Sequence, residues 1–265
     1  MAVAWRDVSS GRFFYLNARR SFHAASTVKL GLMMEAYRRA ARGDLSLDAR
    51  VPIYNHFHSA ADGSVYELRP DDDADKLLYG YVGQAATVRD LVHRTICLSS
   101  NLAANILLDL FGADPVNRLF RRLGAPDVVL RRGFMDLKAY DAGINNTATA
   151  RGLLALLLAL ALGRLISAEA DLDMVHVMMG QVHRDGIPAG LPDGVGVANK
   201  TGWFPGVHHD ASLVFPPGRP PYGLVILTEG FRERPHSAGV IAELSALVYS
   251  HALAGGLHPP ANSKI

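Results

Sequence analysis

The sequence predicts an α/β (α+β) fold in which an antiparallel sheet, built from both ends of the chain, is flanked by helices and carries an all-α insertion. Three observations lead there. Residues 3–16 form two apolar runs broken by Ser9-Ser10-Gly11, as in a hairpin; most of residues 26–182 run at helical spacing; and strand-like runs return after Asp185-Gly186 before a closing helix. The predicted division is a discontinuous α/β domain, residues 1–25 with 186–265, around an all-α domain, residues 26–185, with the site between them.

In order, Val3 to Val8 and Arg12 to Leu16 read as the opening hairpin. From Ser26 the apolar residues fall at Val28, Leu32, Met33, Ala36, Tyr37 and Ala40, and Gly43 ends the run. Thr87 with Asp90 resembles a capping box, followed by a stripe at Val88, Leu91, Val92, Thr95 and Ile96. A second stripe, Leu102, Ala103, Ile106, Leu107 and Leu110, closes at Gly112. Helices are expected at Pro115 to Leu123, Thr147 to Leu162 and Ser167 to Val182, with an extended loop over 125–146. Strands follow at Val195 to Trp203, Ala211 to Phe215 and Tyr222 to Thr228, with Pro216-Pro217-Gly218 as a turn, then a helix from His236 to Leu253.

Composition excludes several classes. The 265 residues are 49% hydrophobic and 20% charged, a globular balance, and the net charge of +2 comes from scattered basic residues rather than a stripe, so no nucleic-acid partner is expected. The longest apolar run, Leu153 to Leu162, is too short for the ~20 residues of a membrane span and reads as a core helix. Asp71-Asp72-Asp73 with Asp75 reads as a solvated loop without the spacing of a calcium site. Cys97, the single cysteine, cannot form an internal disulfide. His56-Phe57-His58 lacks the aspartate of a metallo-hydrolase motif, because Ala60 stands in its place, so neither metal nor other cofactor is expected. Residues 1–25 hold no apolar signal segment, and Met1 sits almost inside the first strand, which leaves open an upstream start and the compartment. Monomer and dimer are equally open.

The chemistry lies in three short motifs. Ser26-Thr27-Val28-Lys29 sets a hydroxyl and an amine three residues apart on one face of a helix start. Serine is a poor nucleophile until a neighbour takes its proton, and a lysine does so only where burial or another cation keeps it partly neutral. Ser99-Ser100-Asn101 lies between two predicted helices, and Lys200-Thr201-Gly202 ends a predicted strand. In this order, S-x-x-K, S-x-N and K-T-G resemble the motif set of penicillin-recognising serine enzymes, and with Gly43 to Asp48, Thr87 to Leu91 and Asn101 to Asn105 the chain is similar to the class A β-lactamase family over nearly its whole length.

The resemblance implies a small-molecule acyl donor, a β-lactam or related amide, that acylates Ser26. It further implies Lys29 as base, Ser99 as proton relay to the leaving nitrogen, Asn101 as a partner of Lys29 and of the substrate amide, and Lys200 with Thr201 as the carboxylate site. Gly202 would give close access to the strand, and the Ser26 and Trp203 N–H groups would form the oxyanion hole. Departures from the family lead elsewhere. Its deacylating glutamate has no counterpart in the loop Leu130 to Asn145, where Asp136 either positions water or is structural, and the start matching the family's D-T-T-T is Asn145-Asn146-Thr147-Ala148-Thr149. Trp203, at a position usually small, either narrows the pocket or packs into the core. Tyr79 and Tyr81 are expected as an aromatic wall of the cleft, and His208-His209 as loop histidines near its mouth. A D-alanyl-D-alanine carboxypeptidase or small-ester hydrolase, and a singly acylated sensor, are the alternative functions.

Overall fold

The computed structural model describes residues 1–253. The sheet has five strands: β1 (Ala2–Asp7), β2 (Phe13–Leu16), β9 (Gly196–Phe204), β10 (Gly206–Phe215) and β11 (Tyr222–Phe231), numbered in chain order with the six short strands that lie between. Their spatial order is β2-β1-β11-β10-β9, antiparallel throughout, so the N-terminal hairpin docks on the C-terminal strands, Trp5 opposite Leu224. Alternation along β1 serves two cores. Ala2 and Ala4 join Ala211, Leu213, Val225 and Leu227 on the face toward the helical part, whereas Val3 and Trp5 join Leu224, Ile226 and Ile241 on the opposite face.

The helices are α1 (Leu30–Ala41), α2 (Val88–His93), α3 (Asn101–Phe111), α4 (Ala113–Arg122), α5 (Leu137–Asp141), α6 (Ala150–Ala161), α7 (Ala168–Met179) and α8 (Arg234–Leu253). The expected cap at Thr87 forms, its hydroxyl accepting from Asp90 N. The Leu153-to-Leu162 run lies largely within α6, which packs on the inner face of the sheet, with Gly223 leaving room for Leu154 where a Cβ would approach to 2.5 Å. Gly31 likewise lets α1 cross close to Phe120 and Val116 of α4. The helical part and the inner sheet face share one continuous core.

Three ribbons too short for a periodic signal lie within or beside the helical part. β3 (Phe22–His23) pairs with β8 (Thr147–Ala148), β4 (Arg50–Pro52) with β7 (Ala85–Thr87), and β5 (Phe57–His58) with β6 (Val65–Tyr66). The segment expected to be all-α is thus interrupted by strands, and the loop expected over 125–146 contains α5. β10 begins five residues before the expected Ala211, because His208 and His209 satisfy their polarity inside the strand and not in solvent.

Candidate active site

The nucleophile candidate stands where a strained turn meets a helix start. After β3, Ala24 N donates to Asn146 O at 2.8 Å, and Ala25 takes a left-handed φ of 46° that a non-glycine residue adopts only under constraint. Thr27 N and Oγ1 both return to Ala24 O, setting the 3₁₀ turn Thr27–Lys29 that leads into α1. Ser26 precedes that turn, with neither its hydroxyl nor its N–H spent on capping it. Gly202 of β9 lies against it: a Cβ on Gly202 would come within 3.0 Å of Ser26 N, so the strand edge and the Ser26 amide face one small space.

Two buried lysines converge on Ser99. Lys29 Nζ donates to Ser99 O at 2.6 Å and to Asn101 Oδ1 at 2.8 Å; Lys200 Nζ donates to Ser99 Oγ at 3.0 Å and to Thr201 O at 2.8 Å. Ser99 holds this bridging position through a left-handed φ of 62° at the end of a π-turn, Arg94–Leu98, between α2 and α3. Burial pushes Lys29 down to about 7, against an opposing pull from Asp73. Lys200 is lowered well below its ordinary value by burial and then by the charge of Lys29. A proton on one amine therefore opposes a proton on the other, and Lys29, three residues after Ser26, is partly neutral near pH 7.

Each lysine has a buried carboxylate acting on it through space, neither of them within a motif. Asp73 accepts from Asn101 N and Leu102 N, both at 2.9 Å, and from Tyr79 Oη at 3.0 Å, tying the 71–75 segment to the start of α3. Asp210 of β10 accepts from Ile187 N at 2.8 Å and Asn199 Nδ2 at 3.1 Å, and burial pushes its carboxyl up to about 6. The solvated-loop reading of the acidic cluster is therefore corrected. Asp71 is exposed, but Asp73 is buried on α3, and Asp75 is buried in an ion pair with Arg94 at 2.9 Å. No local pattern signals this, because the partner amides lie 28 and 29 residues away.

These groups open onto a cavity of about 470 Å³ lined by Ser26, Ser99, Asn101 and Thr201. Trp203 lines it too, 48% exposed, so the core-packing alternative for this residue is excluded and it stands as a wall. On the side of the 130–145 loop the lining residues are Arg132, Phe134, Met135 and Leu137, and the Phe134 ring lies 4.6 Å from Lys29 Nζ. Asp136 turns away. It caps α5 by accepting from Ala139 N, and it also accepts from Ser59 Oγ and Ala60 N, both at 2.8 Å.

The aromatic-wall expectation fails: Tyr79 binds Asp73, Tyr81 points to solvent, and the backbone and side chains of residues 71–74 line that side instead. The loop-histidine expectation fails as well. His209 donates Nε2–H to His23 O at 2.8 Å while its Nδ1 accepts from Thr228 N, and His208 is bonded to Ser237 Oγ. His183 and Arg234, which the sequence did not single out, line the cavity.

With this geometry in view, the comparisons with known proteins are decisive. A model of the β-lactamase enzyme family matches residues 1–252. The chain belongs to that family. It is 31% identical over 258 residues to a β-lactamase of Streptomyces lavendulae, covering 94% of this chain and 81% of that protein, and 29% identical over 251 residues to one of Streptomyces fradiae, covering 93% and 79%. Among solved structures, an ancestral class A β-lactamase superposes with a TM-score of 0.81 at 28% identity, covering 94% of this chain and 93% of that one. A β-lactamase from Sphaerobacter thermophilus gives 0.81 at 26% identity, covering 98% and 92%. Penicillin-binding protein A shares the fold at 0.81 and 22% identity, covering 96% and 90%. This β-lactamase family member is accordingly a serine hydrolase related to the class A enzymes.

Proposed function

We propose that the protein hydrolyses β-lactams through an acyl-enzyme on Ser26, with fast acylation and slow deacylation. The neutral amine of Lys29 takes the hydroxyl proton as Ser26 Oγ bonds to the lactam carbonyl carbon. The carbonyl oxygen takes up negative charge against the Ser26 and Trp203 N–H groups. When the carbon–nitrogen bond breaks, the leaving nitrogen receives a proton through Ser99 Oγ, to which Lys200 donates. Lys200 and Thr201 also hold the carboxylate of the substrate, and Asn101 keeps Lys29 aligned. The observation that carries this reading is the convergence of both lysines on Ser99, Lys29 on its backbone carbonyl and Lys200 on its hydroxyl, which brings the base and the carboxylate site to one residue of the cavity wall.

Slow deacylation follows from the 130–145 loop. The family's glutamate is missing, the side chains the loop presents to the cavity are not carboxylates, and Asp136 spends its oxygens on Ser59, Ala60 and Ala139. The test is intact-protein mass followed over time after a slight excess of a chromogenic cephalosporin, with absorbance recorded in parallel. One adduct on Ser26, outlasting the initial colour and decaying over many minutes, is expected. Colour far beyond one equivalent without a detectable adduct would overturn slow deacylation, and neither adduct nor colour would overturn the acylation reading.

A further inference from the structure

Arg132 lines the loop side of the cavity and is only 6% exposed, yet among the described residues every hydrogen bond of its guanidinium ends on a neutral group. Nε and Nη2 donate to Asn145 Oδ1 at 3.2 and 3.1 Å, and Nη1 donates to Gly133 O at 3.1 Å. The Tyr140 ring lies 5.4 Å from its Cζ. Asp136 acts on it only through space, its oxygens being taken by Ser59, Ala60 and Ala139. Burying a guanidinium without an ion-pair partner is costly, and proteins ordinarily pair such a charge. Asn146 Oδ1 is taken by the backbone N–H groups of Arg131 and Arg132, and the guanidinium meets the neutral amide of Asn145.

A second observation points to the same spot. His23 Nδ1 lies 3.1 Å from Ala25 N, and its Nε2 lies 3.1 Å from Arg132 Nη2. A neutral ring has one acceptor nitrogen for these two donors, and with that nitrogen given to Ala25 two N–H groups meet at the cavity corner. The ring is held there by stacking on Phe204, centroids 5.1 Å apart, and by the edge of Tyr140. An anionic oxygen reaching this corner of the cavity would satisfy both donors and give the guanidinium its missing counter-charge.

We propose that Arg132 and His23 form an anion subsite on the loop side of the cavity, so that the preferred acyl donor carries a carboxylate on its acyl side in addition to the one held at Lys200 and Thr201. This rests on the Ser26 acylation reading above. The substrate class is thereby a dianionic acyl donor.

The experiment compares second-order acylation rates, by intact mass, for benzylpenicillin and its α-carboxy analogue in the wild type, Asn145→Asp, Arg132→Gln and Arg132→Lys. One charge-assisted contact predicts a wild-type preference for the dianion of about ten- to a hundredfold. Asn145→Asp places a carboxylate on the guanidinium and should bring the ratio near one while leaving acylation by benzylpenicillin unchanged. Arg132→Gln should do the same to the ratio, and Arg132→Lys should restore part of it. A wild-type ratio near one, or a ratio untouched by the variants that fold, would overturn the proposal.

Thermal melting with millimolar phenylmalonate or phenylacetate separates the subsite from the acylation reading. A rise with phenylmalonate in the wild type that is absent in Asn145→Asp supports the subsite even if neither penicillin labels Ser26. No rise overturns it.

Discussion

Replacing Lys29 by methionine should make the protein more stable while abolishing acylation. Keeping the Lys29 amine neutral at pH 7, when the unfolded chain holds it charged, costs about 5 kcal/mol, at ~1.4 kcal/mol per tenfold change in proton affinity between 10.5 and about 7. Methionine fills a similar volume and does not incur that cost. Against the gain stand the two acceptors it abandons, Ser99 O and Asn101 Oδ1, each worth ~1–2 kcal/mol if left dry. Both residues line the cavity, where water can replace the amine, so a net gain of ~2 kcal/mol is expected, a rise of roughly 4–8 °C in Tm for a chain of this size. The pH dependence carries the signature. Between about pH 7 and 10.5 the unfolded state binds the Lys29 proton and the folded state does not, so wild-type stability rises with pH through this window. The variant lacks this slope, and its advantage is therefore largest near pH 7 and shrinks toward pH 10. Chemical denaturation of both proteins at pH 7, 8.5 and 10 measures it. A variant less stable at pH 7, or an advantage that grows with pH, would refute the argument that burial keeps this amine neutral.

Four other outcomes follow from the same geometry. The rate of Ser26 acylation should fall about tenfold per pH unit below an inflection near 7, as Lys29 gains its proton; stopped-flow acylation between pH 5 and 8 checks this, and a flat profile would contradict Lys29 as base. Phe134→Glu puts a carboxylate where the ring now lies over Lys29, so the adduct lifetime should shorten at least tenfold, while the new charge moves the acylation inflection to higher pH and slows acylation at pH 7; pulse-chase mass measurement reads the lifetime. Gly202→Ala should lower acylation ~10²- to 10³-fold, because its methyl would crowd the Ser26 amide, with the melting temperature changed by only a few degrees. Asp73→Asn should cost ~1–2 kcal/mol through the weakened cap on α3 and move the acylation inflection to lower pH, since Asp73 is the group holding the Lys29 value up.

What was legible in the sequence has a common physical cause. The strands around Trp5, Leu213 and Ile226, and the helices beginning at Thr87 and Asn101, are set by local period and caps, which a linear chain displays. Ser26, Lys29, Ser99, Asn101 and Lys200 were legible because each motif fits one turn or one strand end. The ribbons of two or three residues were not, since so few residues hold no period, and β10 reads short in the sequence because its histidines look polar until Ser237, Thr228 and His23 appear around them. Trp203 was undecidable for a related reason: alternation says which face of β9 it takes, and the space before that face is set by the 130–145 loop.

The groups that set protonation in the site are the least legible of all, and this follows from what they do. A carboxylate that tunes a buried lysine acts over several ångströms and need share no motif with it; Asp73 comes from a loop that also holds the exposed Asp71 and Asp72, and Asp210 lies across the hairpin from Thr201. Arg132 shows the converse case. Its identity is plain in the sequence, but its significance depends on Asn145, thirteen residues on, offering an amide oxygen where an anion would have neutralised it. The nucleophile and its base thus specify the type of chemistry, and the uncompensated charges around them specify which acyl donor the cavity is built to receive.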